Sequence, residues 1–466
     1  MKEIISFIDS VFVFYNNNIG SYLLFIFLIP TGIYFTIKFK FLQLTSLPHS
    51  IQVIRGKFDK DKDAGDINHF KALTTALSAT IGTGNIVGVA LAIYYGGPGA
   101  IFWMWVTGLL GMMLKLVEST LSLKYRKINE DGSVSGGPMY YMEYGLKDKI
   151  GKYAKKLAIV FAGATILCSM GTGNMAQSNS ISDIMFKNYH VSNITTGIVL
   201  FILVLLVIIG GIKRIAEVTS RLVPFMAVLY FISSIIVIAV FFKDIPAAFS
   251  LIIKDAFTGT AVTGGFIGSV FLITLKSGVA RGLFSNEGGQ GSAAIAHAAA
   301  KTKYPTREGL VASVGPFIDT LLICTMTALV IILSGAWSGG VEGVGMTVEA
   351  FTTGFKVIGL GNYAKHVVAA GLILFAFSTI IAWSYYGTRA SEYLFGRKSI
   401  KSYRYFYGLF VFLGAIGKID IVWHFVDVVI TFMTIPNLIA LILLSPVIKK
   451  EINGYFAIMK GKKKYN

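Results

Sequence analysis

The chain has 466 residues, of which 54% are hydrophobic and only 14% charged, against roughly a quarter charged in soluble domains. Its mean hydropathy is +0.68 and its formal net charge +18. That balance excludes a soluble enzyme, a disordered chain and a secreted disulfide scaffold, and it describes a polytopic membrane protein.

A helix needs about 20 apolar residues to cross the hydrocarbon core, and eleven segments qualify as candidates. The first, 19–37, belongs to an apolar stretch too long for a signal-peptide core and without a clear cleavage site, so it reads as a retained span. The next five are 70–95, 99–123, 157–186, 195–212 and 222–242. The last five are 261–283, 310–333, 367–387, 403–417 and 421–448. Long polar connections fall at 38–69 and 124–156, and a basic tail at 449–466 ends in Lys462–Lys464. Cys168 and Cys324 sit alone in apolar runs and read as buried small hydrophobes.

The charges test this layout. With the N-terminus outside and the loops alternating, 32 of the 42 Lys and Arg fall in cytoplasmic segments and 7 in external ones. The remaining 3, Lys115, Lys276 and Arg281, lie within spans. The asymmetry follows the positive-inside rule and predicts an external N-terminus and a cytoplasmic C-terminus in the cell membrane. The net charge therefore reports topology rather than a nucleic-acid partner.

Two spans look interrupted. The second contains Ala79-Thr-Ile-Gly82-Thr-Gly84-Asn-Ile-Val-Gly88, and each glycine weakens a helix by about 1 kcal/mol. Such a segment can unwind and offer N–H groups to an anion and carbonyls to a cation. Gly84 and Gly88 also suit close helix packing of the GxxxG kind, and both readings stand at this point. A dinucleotide loop does not fit, because the third glycine is one residue late and no strand precedes it. The second interruption is expected over Gly278–Gly291, followed by a short helix 292–300. There Arg281 and Glu287 must face water or each other, and His297 reads as a satisfied interhelical histidine. Lys115 and Glu118, three residues apart, are expected to pair.

The two interruptions lie five spans apart, the pointer to a transporter built from two inverted five-helix halves with its site between them. The predicted fold is an all-α polytopic bundle, with one extra N-terminal helix and its connection (1–69), a first repeat (70–260), a second (261–448) and the basic tail (449–466). The chain lacks HExxH, GxSxG and GxxxxGK[ST] motifs, which weighs against an enzyme or an ATP-driven pump.

Specific residues then carry a resemblance. Gly96-Gly-Pro-Gly-Ala-Ile-Phe-Trp-Met-Trp105-Val-Thr-Gly-Leu-Leu-Gly111 resembles the signature of the alanine or glycine:cation symporters. So do Gly82–Asn85, Gly136-Gly-Pro-Met-Tyr-Tyr141 and Arg281-Gly-Leu-Phe-Ser-Asn-Glu287. The chain departs from the family where Gly288, Gln290 and Ala294 stand in place of the usual Ala, Met and Pro. That bears on the stiffness of the loop and, through Gln290, on substrate preference.

The family is similar in architecture to the LeuT-type sodium symporters, and that similarity implies roles. The N–H groups of Thr83 and Gly84 would meet a substrate carboxylate, and the Thr80 carbonyl its ammonium. The Ser78 and Ile81 carbonyls, with the Ser378 and Thr379 hydroxyls, would form an oxygen cage for sodium, a hard cation suited to neutral oxygens. Taken alone, Ser378-Thr379 also reads as a helix-bonding hydroxyl pair. Asn85, Gln177, Phe284, Ser285, Asn286 and Trp383 complete the candidate substrate pocket, with ordinary packing as the competing reading for both aromatics. Asp183, Asp319 and Asp427 are carboxylates in or near spans with a proton role left open.

The expected activity is sodium-driven import of alanine or glycine, with sodium as coupling ion, the lipid bilayer as setting, and no organic cofactor or protein partner implied. A proton-coupled transporter of the same shape is the rival; a passive channel fits less well, since neither a repeated filter nor a charged ring is evident.

Overall fold

In a bilayer every backbone polar group must be satisfied internally, so a spanning chain of this composition folds as packed helices. The computed structural model describes residues 2–59, 63–258, 267–417 and 420–461, and these are overwhelmingly helical. A two-residue ribbon, Lys127–Ile128 against Val134–Ser135, is the only sheet among them. The first residues of the seventh predicted span, 261–266, and the terminal lysines 462–464 lie outside the described residues.

Seven described helices are long and apolar enough to cross a membrane: Ser6–Lys38, Ala100–Lys124, Tyr153–Tyr189, Gly211–Val240, Pro305–Leu333, Gly361–Phe395 and His424–Leu443. The remaining predicted spans are helical but shorter, broken or less apolar. They comprise His69–Thr80 with Val87–Gly96, then Asn193–Ile208, Ile267–Asn286 and Ser399–Ile416. The Asn193–Ile208 helix illustrates the solvent it is built for. Ile194, Ile198, Val199, Ile202, Leu203 and Leu206 point outward, whereas Thr196, Gly197, Leu200, Val204 and Ile208 face the protein. An outer face made of large apolar groups, with the polar Thr196 and the small Gly197 turned inward, is the pattern of a lipid-facing helix.

Two further helices, Ile245–Thr258 and Val344–Val357, occupy connections expected to be loops. Both cover one end of the bundle: the Trp103 indole donates to the Ala256 carbonyl at 3.1 Å, and Tyr95 to Glu342 at 2.5 Å. The opposite end carries the ribbon, the short helix Pro138–Gly145 and the helix Ser445–Met459.

That opposite end is closed by buried polar ties. His69, opening the helix His69–Thr80, and His297, closing the helix Ser292–His297, both bond the fully buried carboxylate of Glu308, the latter at 2.5 Å. His297 is thus an interhelical histidine with a carboxylate partner. The Arg126 guanidinium donates to the carbonyls of Ala64, Ala298, Ala300 and Thr302 at 2.7–2.9 Å, binding the chain around both segments.

The expected Lys115–Glu118 pairing is not realised. Glu118 accepts instead from the Asn437 amide at 2.7 Å, and no ion pair joins Glu118 to Lys115 among the described residues. Asn437 also accepts from Tyr141 and donates to the Gly289 carbonyl at 2.9 Å, so one amide ties three elements.

Candidate functional site

The second predicted span breaks within its glycine run. The helix His69–Thr80 ends at Ile81 (φ −76°, ψ 89°), a 3-10 turn covers Thr83–Asn85, and the helix Val87–Gly96 continues. In an unbroken helix the N–H groups of Gly82 and Thr83 would bond the carbonyls of Ser78 and Ala79. Here they go to Asn85 Oδ1 at 2.9 Å and Gln177 Oε1 at 3.4 Å. The carbonyls are thereby released and point away from the helix ladder. Helix packing through Gly84 and Gly88 is the weaker reading, since a Cβ on Gly88 would meet nothing within 4 Å.

The released oxygens meet the helix Ala364–Phe395. Thr379 Oγ1 stands 3.1 Å from the Ser78 carbonyl and 3.4 Å from that of Ile81, while donating to Phe375 O at 3.0 Å. Ser378 Oγ lies 3.3 Å from the Ser78 carbonyl, and Ser78 Oγ donates to the Ser378 carbonyl at 2.7 Å. When the Thr379 proton goes to Phe375, Thr379 Oγ1 faces the Ser78 and Ile81 carbonyls as a third acceptor oxygen. A small hard cation is the chemistry such a cluster accepts. The Thr379 hydroxyl approaches so closely that a Cβ on Gly82 would lie 2.6 Å from its Oγ1.

The second interruption is narrower than expected. The helix Ile267–Asn286 is continuous, and the break spans Glu287–Gly291 before the short helix Ser292–His297. Phe284, Ser285 and Asn286 therefore sit on the last helical turn rather than in an open loop. Glu287, Gly289 and Gly291 adopt positive φ (53°, 88° and 79°), a conformation costly for a residue with a Cβ and frequent at functional sites. Glu287 and Arg281 face different surroundings. The Glu287 carboxylate takes bonds from Ser292 Oγ at 2.5 Å and Trp383 Nε1 at 3.1 Å. Arg281 instead lines a cavity.

That cavity, about 680 Å³, opens at the end carrying Lys187, Asn188 and Glu342 and reaches inward to Thr83, Gly88 and Phe284. Asp183, Arg281, His424 and Asp427 line its walls. At its floor the first break adjoins the helical turn that leads into the second: a Cβ on Gly84 would lie 3.2 Å from Phe284 Cδ1 and 3.5 Å from Ser285 Cα. Among the described residues the buried Thr83 hydroxyl has no hydrogen-bond partner, nor has that of Thr172. Gln177, projecting from the helix Ala176–Tyr189, donates to the Thr172 carbonyl at 3.1 Å while facing the Thr83 N–H. Thr80 Oγ1 bonds back to the Ala76 and Leu77 carbonyls, both at 3.3 Å.

The other candidates lie behind this floor. Trp383 is buried beside Glu287 and packs against bare backbone, where a Cβ on Gly173 would come within 2.2 Å of the indole. Asn286 Oδ1 caps the turn by accepting from the Gly288 N–H at 2.9 Å, and its buried Nδ2 has no partner. Gln290 donates to the Leu283 carbonyl at 3.1 Å and lines a separate cavity of about 210 Å³ against Asn16, Gly20 and Leu24. Asp319 sits in the π-helical stretch Phe317–Cys324, where it bonds Asn85 and Ser285 directly.

The helical arrangement is shared with solved transporters. MhsT in complex with L-phenylalanine superposes with a TM-score of 0.58 over 82% of this chain and 89% of that one, at 13% identity. A substrate-bound, outward-open Na+-coupled sialic acid symporter gives 0.53 over 86% and 82%, at 11% identity. These likenesses define the class as an α-helical membrane protein of the LeuT-type transporter fold.

Sequence comparison narrows the class. The chain belongs to the sodium:alanine symporter family, whose model matches residues 5–466, and is a transporter rather than an enzyme. It is 43% identical over 449 residues to the sodium/alanine symporter AgcS of Methanococcus maripaludis, covering 96% of each chain. It is 36% identical to the probable sodium/glutamine symporter GlnT of Bacillus subtilis, over 94% of this chain and 89% of the relative. The putative sodium/proton-dependent alanine carrier protein YrbD of the same organism is 37% identical, over 90% and 86%.

Proposed function

We propose that this protein imports a small neutral amino acid, alanine or glycine, by sodium-coupled symport. The single observation that carries the reading is the meeting, at the cavity floor, of the first break with the helical turn Phe284–Asn286 that leads into the second, beside the oxygen cluster of Ser78, Ile81, Ser378 and Thr379. Substrate carboxylate would take the N–H groups of Thr83 and Gly84, displacing Gln177 from the Thr83 N–H, and substrate ammonium the Thr80 carbonyl. Phe284, packed over Gly84, would form one wall against the substrate side chain. Sodium would occupy the oxygen cluster, where its charge offsets the converging carbonyl dipoles. Membership of the family and the name of the AgcS relative support sodium and alanine; the GlnT relative's name keeps side-chain preference a matter for this pocket.

In this reading the chain forms eleven spans in two inverted five-helix repeats, 70–260 and 261–448, after one N-terminal helix, with the N-terminus outside the cell membrane. The charge asymmetry supports that orientation. The cavity then opens outward, while His69, His297, Glu308 and Arg126 hold the cytoplasmic side shut. Alternating access requires those ties to part and the cavity to close.

One co-transported charge gains about 2.3 kcal/mol per 100 mV, and a tenfold sodium gradient about 1.4 kcal/mol. One-to-one coupling under those conditions caps accumulation at roughly 500-fold. The test is labelled alanine uptake into proteoliposomes under an imposed sodium gradient or an imposed proton gradient. Accumulation with sodium at uniform pH supports the reading. Accumulation that survives sodium replacement and follows the proton gradient overturns it in favour of proton coupling.

A further inference from the structure

Asp319 is fully buried on the π-helical stretch Phe317–Cys324, which begins directly after Pro316. Proline removes a backbone donor and π segments displace side chains from the regular helical face. This one projects its carboxylate between the first break and the helical turn that leads into the second. Asp319 Oδ1 accepts from Asn85 Nδ2 at 2.6 Å, and Oδ2 from Ser285 Oγ at 2.8 Å and Thr320 Oγ1 at 2.7 Å. A carboxylate acceptor makes each of these a charge-assisted bond, shorter and stronger than its neutral counterpart.

The other end of Asn85 shows where that strength goes. With Nδ2 held by Asp319, Asn85 Oδ1 is fixed as the acceptor for the Gly82 N–H at 2.9 Å. The Gly82 nitrogen and the Ile81 carbonyl belong to one planar peptide unit. Orienting the N–H therefore orients the carbonyl, which lies 3.4 Å from Thr379 Oγ1. Chains of hydrogen bonds in a low-dielectric interior also polarise one another. Negative charge on Asp319 drives electron density through the Asn85 amide onto the Ile81 oxygen.

We propose that Asp319 is a positioning residue for cation binding, acting through Asn85 on the peptide plane that presents the Ile81 carbonyl. The inference rests on the sodium cage proposed above. In this role Asp319 acts through Asn85, setting the direction and the basicity of one oxygen ligand. Because it also bonds Ser285 beside Phe284, it holds the first break in register with the end of the helix Ile267–Asn286.

Purified full-length protein in detergent allows the test, through the sodium concentration giving half-maximal thermal stabilisation, with alanine KM in proteoliposomes at saturating sodium as second readout. Asp319→Asn keeps a hydrogen-bonding group of the same shape and removes the charge. It is expected to raise the half-maximal sodium concentration about tenfold, the loss of one charge-assisted contribution, with alanine KM changed less than about threefold. Thr320→Val, which retains the carboxylate, is expected to stay within about twofold of the parent. Thr379→Ala is measured alongside. If it weakens the sodium response and Asp319→Asn does not, the cage stands and the relay is wrong. If neither variant alters the sodium response, the cage itself is wrong. A merely structural Asp319 would lower the melting temperature without moving the sodium midpoint. Should Asp319→Asn not accumulate as folded protein, Asp319→Glu is read in its place. Its displaced carboxylate must shift the midpoint in the same direction, and an unmoved midpoint overturns the proposal.

Discussion

Thr379 Oγ1 lies 3.1 Å from the carbonyl oxygen of Ser78, although 301 residues separate the two in sequence. A hydroxyl from one continuous helix faces a carbonyl freed by another helix's interruption, and the proposed ion coupling follows from that meeting. Thr379→Ala deletes one oxygen and leaves the helix intact. Sodium-dependent uptake is expected to need at least about tenfold more sodium, whereas Thr379→Ser restores the oxygen and the parent dependence. Uptake titrated against sodium in proteoliposomes checks both.

Two glycines of the same run should separate cleanly. Gly82→Ala places a methyl 2.6 Å from Thr379 Oγ1, so that hydroxyl must swing away from the Ser78 and Ile81 carbonyls and uptake is expected to fall at least about tenfold in folded protein. Gly88→Ala meets no atom within 4 Å and adds helix propensity worth up to about 1 kcal/mol. Uptake is expected to persist. Size-exclusion profiles and initial uptake rates of the pair provide the measurement.

The indole of Trp383 satisfies a buried carboxylate oxygen of Glu287 at 3.1 Å. Trp383→Phe retains much of the packing and leaves that oxygen one donor short, at a cost of about 1–3 kcal/mol. A lowered melting temperature in detergent is expected. Trp383→Ala should be more destabilising, since a buried aromatic is lost as well.

The Glu308 carboxylate joins His69 and His297 at the closed end of the molecule. Glu308→Ala strands both imidazoles and should favour states open on that side. A cysteine introduced at Ala76, a buried position on the first broken helix, reports the change. In the parent it should resist a membrane-impermeant thiol reagent applied from the cytoplasmic side; with Glu308→Ala it should react. Both native cysteines are buried, which keeps the background low.

How much of this was legible in the sequence follows from which forces are local. Unwinding at Gly82-Thr-Gly84-Asn85 is a local consequence of glycine in a helix, and Ser78 and Ile81 lie within hydrogen-bond reach of Ser378 or Thr379. The second break was drawn too wide because glycine has more than one use. Gly278 and Gly282 admit a neighbour: a Cβ at either would strike Ala100 O at 2.3 Å or Thr107 Oγ1 at 2.0 Å. The helix runs straight through both. Asp319 was visible only as a carboxylate without a role, because its partners Asn85 and Ser285 lie 234 and 34 residues away. The helices Ile245–Thr258 and Val344–Val357 escaped notice as they are too short to span, although the second lines the cavity through Val344 and Val348.

The most direct test is an experimental density map of the protein with alanine and sodium bound. The account predicts amino-acid density at the cavity floor between Thr80–Gly84 and Phe284, with ion density among Ser78, Ile81, Ser378 and Thr379. Density for alanine only higher in the cavity, beside Arg281 and Asp427, or a cage holding no ion at saturating sodium, would contradict it.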